Sequence, residues 1–415
     1  MAYAGRTAVP SVGLAETVRT LALLWLAGAS LRATILALPP VLPQVSADLG
    51  LQGGSVGVLT ALPSLLFAAA AVPSARIIAR LGAVPTLTLG LLLNALGAAA
   101  RGFTGSGFGL EAATFLMCLG IAVMQPALPP LVRAWAPNRI GFATAVYTNG
   151  LLIGEVLPTA WVPQGQLPLI GDGWRAALAA WAVLPLTTGI LVAALGRRPA
   201  TGDGSATARW WPDWRDARVW RLGMLLGGIN ATYFGLNGFL PGWMAAQGTP
   251  ELVQPLLIAL NLGQIPASLL LLFFAERLVR KPLAYGVAGA VMLASVIGVV
   301  ATSGSAALAW AALCGFFLGG LLTLALALPS LIGAAEDVPR LSAAMFTVSY
   351  TLAMLASLLA GWLWSWSGTV LAAFAPAAAA ALLTTGLGFS LRADELDHGK
   401  KRPGAGVIGR EAKRD

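Results

Sequence analysis

The chain has few charged residues, one histidine and two cysteines, and each scarcity excludes a class of protein. Charged residues make up 10% of the 415 positions, whereas a soluble domain covers its core with about 25%. A soluble fold is therefore excluded. The single histidine, His398, lies in the polar C-terminal tail, so metal chemistry by a histidine cluster is excluded as well.

The two cysteines, Cys118 and Cys314, both lie inside apolar segments. Small buried residues are expected there, rather than a disulfide, a metal site or a nucleophile. The sequence also lacks a glycine-rich loop followed by Lys and Ser or Thr, the signature of nucleotide binding. It therefore predicts no cofactor and no metal, and an electrochemical gradient as the energy source.

Apolar residues dominate what is present. They make up 57% of the chain, and the mean hydropathy is +0.79, as in an integral membrane protein. Windows of about 20 apolar residues, the length that crosses a ~30 Å hydrocarbon layer, recur twelve times. The predicted fold is all-α, with transmembrane segments at residues 18–43, 53–78, 83–103, 108–133, 139–163, 173–196, 219–245, 250–278, 281–303, 305–333, 338–366 and 367–391.

Cationic residues give the orientation of these segments. Lysines and arginines cluster after segments two, four, six and eight and in the tail, whereas the opposite loops carry little beyond Arg101 and Arg175. The positive-inside rule then predicts that both termini are cytoplasmic. The formal net charge of +9 is a topology signal and does not indicate a nucleic-acid partner. Residues 1–18 show no cleaved signal peptide, so we expect a multi-pass protein of a bacterial inner membrane, in contact with lipid.

The longest polar interruption divides the segments into two sets of six. We predict an N-terminal six-helix bundle at 1–196, a cytoplasmic linker at 197–218, a C-terminal bundle at 219–391 and a disordered cytoplasmic tail at 392–415. The linker tryptophans are expected at the lipid headgroups. Two joined six-helix sets are typical of secondary transporters, whose substrate site forms near the bilayer midplane between repeats.

Two charged residues fall deep within the predicted segments, Arg32 and Glu155. At ~1.5 Å of rise per residue, Arg32 lies about 18 Å from Thr20, and Glu155 about 21 Å from Gly141. Their depths match, so the simplest arrangement is a charge-assisted pair. Intramembrane charges are functional by default, which makes Arg32 a ligand for an anionic substrate and Glu155 a proton carrier. The alternatives are a structural ion pair, or a Glu155 that is hydrated near the outer surface.

Uncharged polar residues add a candidate cavity. Asn230, Tyr233 and Asn237 share one face of segment seven because they are spaced i, i+3 and i+7. Such a face lines a pore or joins two helices by hydrogen bonds. Further candidates for substrate binding are Gln125, Tyr147, Asn149, Asn261, Gln264 and Tyr350.

Glycine and proline spacing predicts close packing and kinks. Gly150 and Gly154, four residues apart and directly before Glu155, have the form of a close-packing notch. Prolines such as Pro126 interrupt several segments and suit a protein that changes between two states.

Several short motifs resemble a known family. Segment one carries Leu31 and Arg32 at its centre, Gly57–Pro63 reads GVLTALP, and Trp174–Ala179 reads WRAALA. Phe239–Pro241 reads FLP, and the Gly320–Ser349 stretch has a similar likeness. With these motifs the chain resembles the cyanate and nitroimidazole transporter branch of the major facilitator superfamily. The resemblance implies a twelve-helix major facilitator fold.

The chain departs from that family at two positions. Ala79 stands where the loop after helix two commonly has an acidic residue, which argues against a conventional charge-relay gate there. Glu155 stands where drug antiporters have a proline, which argues against that class.

The sequence thus predicts a monomeric secondary transporter that moves a small polar, anionic solute by alternating access, with proton coupling. A proton-driven efflux pump for nitro-aromatic or drug-like compounds is one alternative. A helical membrane enzyme or receptor is another, although the chain lacks a cluster of catalytic side chains.

Overall fold

The computed structural model describes residues 14–51, 53–162, 173–197 and 210–391. These residues form α-helices and short 3-10 turns, and none of them is in a strand. Most of the predicted linker and the whole predicted tail lie outside the described residues. The division into bundles at 1–196 and 219–391 stays a prediction, so spans 1–6 are called the first half here and spans 7–12 the second half.

The first half contains six long helical stretches, which we number as spans. They are span 1 (Leu14–Ser30 and Ala33–Leu36), span 2 (Gly53–Leu81), span 3 (Ala83–Arg101), span 4 (Gly107–Met124 and Leu128–Trp135), span 5 (Ile140–Trp161) and span 6 (Trp174–Ala180 and Val183–Leu195). A 3-10 turn at Pro39–Val41 and a short helix, Leu42–Leu49, follow span 1.

The second half contains six more. They are span 7 (Ala217–Ala246), span 8 (Val253–Leu262 and Gln264–Leu278), span 9 (Pro282–Ala301), span 10 (Gly304–Ile332), span 11 (Val338–Ser367) and span 12 (Ala375–Ser390). Spans 11 and 12 are separated where Gly368 takes a φ of +70°, a left-handed conformation that glycine adopts without strain.

Most of these spans are long and apolar enough to cross a membrane. Eleven of the described stretches are long and apolar enough to do so. Span 7 is not among them, because Asn230, Tyr233 and Asn237 lower the hydropathy of its 30 residues. The predicted all-α fold is confirmed.

Span 1 packs on span 5 along a seam where glycines of one helix meet the backbone of the other. A Cβ atom on Gly28 would lie 2.0 Å from the Tyr147 carbonyl oxygen, and one on Gly154 would lie 2.3 Å from that of Ala29. A Cβ on Gly150 would lie 2.2 Å from the Trp25 carbonyl oxygen. The predicted notch at Gly150 and Gly154 is confirmed, since only glycine permits this approach.

Loops that follow the even-numbered spans define one end of the molecule, which we call the basic end because Arg80, Arg139 and Arg280 lie there. The other is called the opposite end. The half of span 8 nearer the basic end, Gln264–Leu278, packs on span 5, whereas Val253–Leu262 packs mainly on span 10. Span 11 packs on span 2. These contacts bring the two halves together.

Candidate functional site

Arg32 lies at a break in span 1. The helix Leu14–Ser30 ends two residues before the helix Ala33–Leu36 begins, and Arg32 between them has φ −120° and ψ −32°. Its amide bonds the Ala29 carbonyl at 3.3 Å, three residues back instead of four. Broken helices with irregular backbone occur in transporters where they line a binding cavity.

The side chain of Arg32 meets groups from both halves. Its guanidinium lies beside the Tyr350 hydroxyl of span 11 and is attracted electrostatically by Glu155 of span 5. Tyr350 in turn accepts a hydrogen bond of 3.0 Å from the Gln125 Nε2 of span 4. Gln125 begins the 3-10 turn that contains Pro126 and divides span 4. Arg32, Tyr350 and Gln125 therefore form one polar group between the halves, which we call the Arg32 cluster.

Aromatic rings border this cluster. The ring centroid of Phe67 in span 2 lies 4.9 Å from that of Tyr350, and the two ring planes make an angle of 57°. The Phe346 ring, one turn before Tyr350, stacks on the Tyr350 ring with 6.3 Å between the centroids and an interplanar angle of 21°. The cation attracts an anion, while the rings offer flat apolar surface on which a planar solute can pack.

Glu155 belongs to a second polar group, formed with spans 7 and 8. The Tyr233 hydroxyl lies within hydrogen-bond reach of the Glu155 carboxylate, and 2.9 Å from the Asn261 Oδ1. The Asn261 Nδ2 donates to the Asn237 Oδ1 at 3.0 Å, and the Asn237 Nδ2 donates to the Tyr233 carbonyl at 2.9 Å. Glu155 is only 6% exposed, which disagrees with the alternative of a hydrated surface carboxylate. We call these four residues the Glu155 chain.

Arg32 and Glu155 act on each other without direct contact. No ion pair joins them within the part of the chain that the structure describes, and the direct partner of Glu155 is Tyr233. Tyr233 also interacts electrostatically with Arg32. The matched depths inferred from the sequence thus place both charges in one site, with tyrosines as their contacts.

The other predicted binding residues are placed differently. The Asn149 Nδ2 donates to the Ser268 Oγ of span 8 at 2.9 Å, while its Oδ1 accepts from Trp25 at 3.0 Å. The Asn230 Nδ2 donates to the Ser349 Oγ within the second half at 2.9 Å, which favours the alternative of helix–helix contact. Tyr147 and Gln264 are 2% and 3% exposed, and Gln264 packs on Gly319 of span 10.

Two charged side chains join the halves at the basic end, beside a 2.8 Å hydrogen bond from the Ser330 hydroxyl to the Pro129 carbonyl. Arg133, in the last turn of the first half's span 4, donates to the carbonyls of Ser330, at 2.8 Å, and Gly333, where span 10 ends. The Glu276 carboxylate of span 8 accepts a 2.9 Å hydrogen bond from the Phe142 amide in the first turn of span 5. A cation thus meets a helix C-terminus and an anion meets a helix N-terminus, both favourable arrangements. We call these contacts the two latches.

Hydrogen bonds between the halves are unevenly distributed along the spans. Within the described ranges they run from the two latches and Ser330–Pro129, through Thr347–Ala68, Asn149–Ser268 and Gln125–Tyr350, to Glu155–Tyr233. The last of these lies nearest the opposite end, 15 residues after span 5 begins. The halves are therefore closed together at the basic end.

Arg101 corrects an expectation from the sequence. The sequence places it among the sparse charges of the opposite loops and predicts only Arg32 and Glu155 inside the spans. Arg101 ends span 3, but its side chain is 1% exposed and turns inward, donating to the Thr34 carbonyl at 2.7 Å. Asn94, which the sequence reading did not single out, also contacts span 1. Their spacing of seven residues, which puts both on one helix face, was an available signal.

Comparisons with known proteins agree on one family. The profile of the Major Facilitator Superfamily matches residues 24–260. The cyanate transport protein CynX of Escherichia coli is 26% identical over 365 residues, covering 85% of this chain and 91% of that protein. The 2-nitroimidazole transporter of Escherichia coli is 28% identical over 330 residues, covering 78% and 82%. YycB of Bacillus subtilis, an uncharacterized transporter, is 25% identical over 337 residues, covering 80% and 83%.

Solved structures share the fold. The human organic anion transporter MFSD10 superposes with a TM-score of 0.74 at 14% identity, covering 90% of this chain and 99% of that one. The Escherichia coli protein FucP in the outward conformation gives a TM-score of 0.70 at 14% identity, covering 90% and 98%.

Proposed function

Because this chain belongs to the major facilitator superfamily, we propose that it is a secondary transporter that moves a small anionic solute across a bacterial inner membrane by alternating access, coupled to protons. It is a multi-pass membrane transporter and not an enzyme, as its family and its curated relatives indicate. The solute class, the coupling ion, the membrane and the orientation are parts of the proposal. So is a monomeric state.

The Arg32 cluster carries the proposal of an anionic solute. Arg32 stands at a break in a span, between the halves, beside the uncharged hydroxyl of Tyr350. A guanidinium in this setting has donors to offer a ligand, and its planar fork matches the oxygens of a small anion. A charge inside the membrane is costly, and binding an anion is a purpose that accounts for it.

The Glu155 chain supports proton coupling, because its donors and acceptors match fully only when Glu155 is protonated. A neutral Glu155 donates to the Tyr233 oxygen, which leaves the single hydrogen of Tyr233 for the Asn261 Oδ1. An ionised Glu155 instead takes the hydrogen of Tyr233, and the Asn261 Oδ1 loses its donor. Both protonation states thus keep the bond between Glu155 and Tyr233, whereas deprotonation takes the Tyr233 hydrogen away from Asn261 and so changes the bonds of spans 5, 7 and 8 together.

The two latches support a state that faces the periplasm. With the basic end in the cytoplasm, as the positive-inside rule predicts, the halves are closed on the cytoplasmic side. Both termini are then cytoplasmic. The solute enters from the periplasm and reaches Arg32 beside the Glu155–Tyr233 contact, and release to the cytoplasm requires that both latches open.

Export of planar nitro-aromatic compounds is a second candidate function. The observation that favours it is the group of aromatic rings formed by Phe67, Phe346 and Tyr350 beside Arg32. One relative is named as a 2-nitroimidazole transporter and another as a cyanate transport protein, so both compounds are suitable first probes. The direction of flux under an imposed pH gradient separates the two candidates.

Uptake of radiolabelled cyanate into proteoliposomes, with the lumen more alkaline than the bath, tests the proposal. Arg32→Ala removes a charge-assisted contact worth about 1.5–3 kcal/mol, so we expect roughly ten- to hundredfold weaker binding. Arg32→Lys is expected to bind with intermediate affinity. The matched control is Arg175→Ala, which removes an arginine paired with Asp48 at the opposite end. Equal cyanate affinity in Arg32→Ala and the unmodified protein contradicts the proposed anion site.

A further inference from the structure

Span 3 presents two polar side chains to the break in span 1. The Asn94 Nδ2 donates to the Ser30 carbonyl at 2.8 Å, and its Oδ1 accepts from the Thr34 hydroxyl at 2.9 Å. Ser30 ends the helix before the break, and Thr34 lies in the helix after it. One amide side chain, completely buried, therefore bonds to both sides of the break.

Arg101 completes this support two turns further along the same face of span 3. The Leu38 amide turns back to the Ile35 carbonyl at 3.3 Å, so the Thr34 carbonyl lacks its bond to the amide four residues on. The Arg101 Nη1 donates to that carbonyl at 2.7 Å and lies 3.0 Å from the Met117 sulfur. This carbonyl is freed where the short helix Ala33–Leu36 ends before Pro39, and inside a membrane it needs such a donor.

The burial of Arg101 is too unfavourable to be incidental. Its side chain is 1% exposed, and its Nε and Nη2 have no hydrogen-bond partner within the part of the chain that the structure describes. None of the ion pairs formed by the described residues includes it. A buried guanidinium without a carboxylate is a strongly destabilising arrangement unless its position serves another group.

We propose that Asn94 and Arg101 are positioning residues that fix the break in span 1 together with the short helix after it, and thereby place the Arg32 side chain between the halves. Asn94 fixes the distance across the break, and Arg101 anchors the C-terminal end of the short helix Ala33–Leu36 that follows it. A regular helix through residues 31 and 32 would turn Arg32 away from Tyr350. The consequence for solute binding rests on the proposed function, whereas the geometry of the break does not.

Cysteine labelling tests the geometry without any solute. The parent protein carries Arg32→Cys together with Cys118→Ala and Cys314→Ala, which remove the two buried native thiols. Alkylation by N-ethylmaleimide in proteoliposomes reports how far position 32 reaches into the cavity. We expect Asn94→Ala and Arg101→Met each to slow alkylation at least threefold, and Arg101→Lys, which keeps a cationic donor, to restore the rate to within twofold of the parent.

Hydrogen exchange gives the second readout, on chains that keep Arg32. Closing the break adds regular hydrogen bonds, so amides 31–34 become more protected in Asn94→Ala, whereas those of span 5 do not change. The control is Thr86→Val, a buried hydroxyl on span 3 that bonds only to the Gly82 carbonyl of its own helix entry. We expect it to alter neither readout. Faster exchange at 31–34, or alkylation as fast as in the parent, overturns the proposal, because the two residues then only stabilise the fold.

Cyanate binding connects this geometry with function. Asn94→Ala is expected to weaken cyanate binding at least fivefold in the unmodified background and to have no effect in an Arg32→Ala background. If the unmodified protein binds no cyanate, the proposed solute is wrong while labelling and exchange still decide the positioning role. An equal loss of affinity in both backgrounds contradicts positioning through Arg32.

Discussion

Replacing Glu155 with glutamine should uncouple transport from protons while preserving solute movement. Glutamine has the shape of a protonated glutamate, and its amide can donate to the Tyr233 oxygen as the protonated carboxyl would. The Glu155 chain then keeps its bonds through Asn261 to Asn237. The variant resembles the permanently protonated state and cannot release a proton.

The number of carboxylates in the site sets how far the solute can be accumulated under a pH gradient. Glu155 is the one carboxylate in the two polar clusters described above, so we expect one proton per cycle. One pH unit corresponds to 1.36 kcal/mol, so a gradient of one unit supports about tenfold accumulation of a monovalent anion carried with one proton. The Glu155→Gln variant should equilibrate the solute and accumulate none.

Two assays on the same proteoliposomes measure this difference. Accumulation is followed under an imposed gradient of about one pH unit, and solute exchange is followed with equal pH on both sides. Glu155→Gln is expected to lose the first and keep the second, whereas Glu155→Asp, which retains a carboxyl group, should still accumulate solute at a lower rate. Tenfold accumulation by Glu155→Gln would refute the assignment of Glu155 as the proton carrier.

Three further predictions follow from contacts between helices. Glu276→Gln weakens one latch by about 1 kcal/mol, which should shift the population roughly fivefold toward opening at the basic end, seen as longer distances between spin labels on spans 4 and 10; unchanged distances would contradict the latch. Gly154→Val places a side chain where even a Cβ lies 2.3 Å from the Ala29 oxygen, so the folded yield should fall sharply, with Gly238→Ala, which has open space, as control. Asn230→Leu should lower stability by about 0.6–2 kcal/mol in thermal unfolding and leave solute affinity unchanged, and a large loss of affinity would restore its predicted role in binding.

The spans could be predicted from the sequence because the thickness of the bilayer fixes their length. Segment six was expected at 173–196, and the corresponding helices run from Trp174 to Leu195. The break in span 1 could not be predicted, since no proline or glycine stands at Leu31 and Arg32. The carbonyl at the end of its first helix, Ser30, is bonded by the Asn94 amide from 64 residues away, and the short helix after the break is bonded by Arg101 from 67 residues away.

The candidate site was predictable in its charges and less so in its contacts. Arg32 and Glu155 stood out because any charge within an apolar segment is costly. Asn230 and Asn237 share a helix face, yet Asn230 bonds Ser349 and Asn237 joins the Glu155 chain. Which neighbour an asparagine meets depends on how spans 8 and 11 pack around span 7, and hydropathy carries no information on that packing. Arg101 was misplaced for the same reason, because its position at a helix end does not reveal which way its side chain turns.

The glycine seam between spans 1 and 5 determines what can move. Helices in backbone contact at Gly28, Gly150 and Gly154 cannot slide or roll past each other without collision, so they travel as one body. Arg32 lies at the end of one of these helices and Glu155 on the other, so we expect their separation to stay constant when the halves move. Their contacts with Tyr350 and Tyr233 cross to the other half and are the ones that rocking can make and break. The two charges thus keep a fixed separation, and their contacts with the two tyrosines form and break as the halves move.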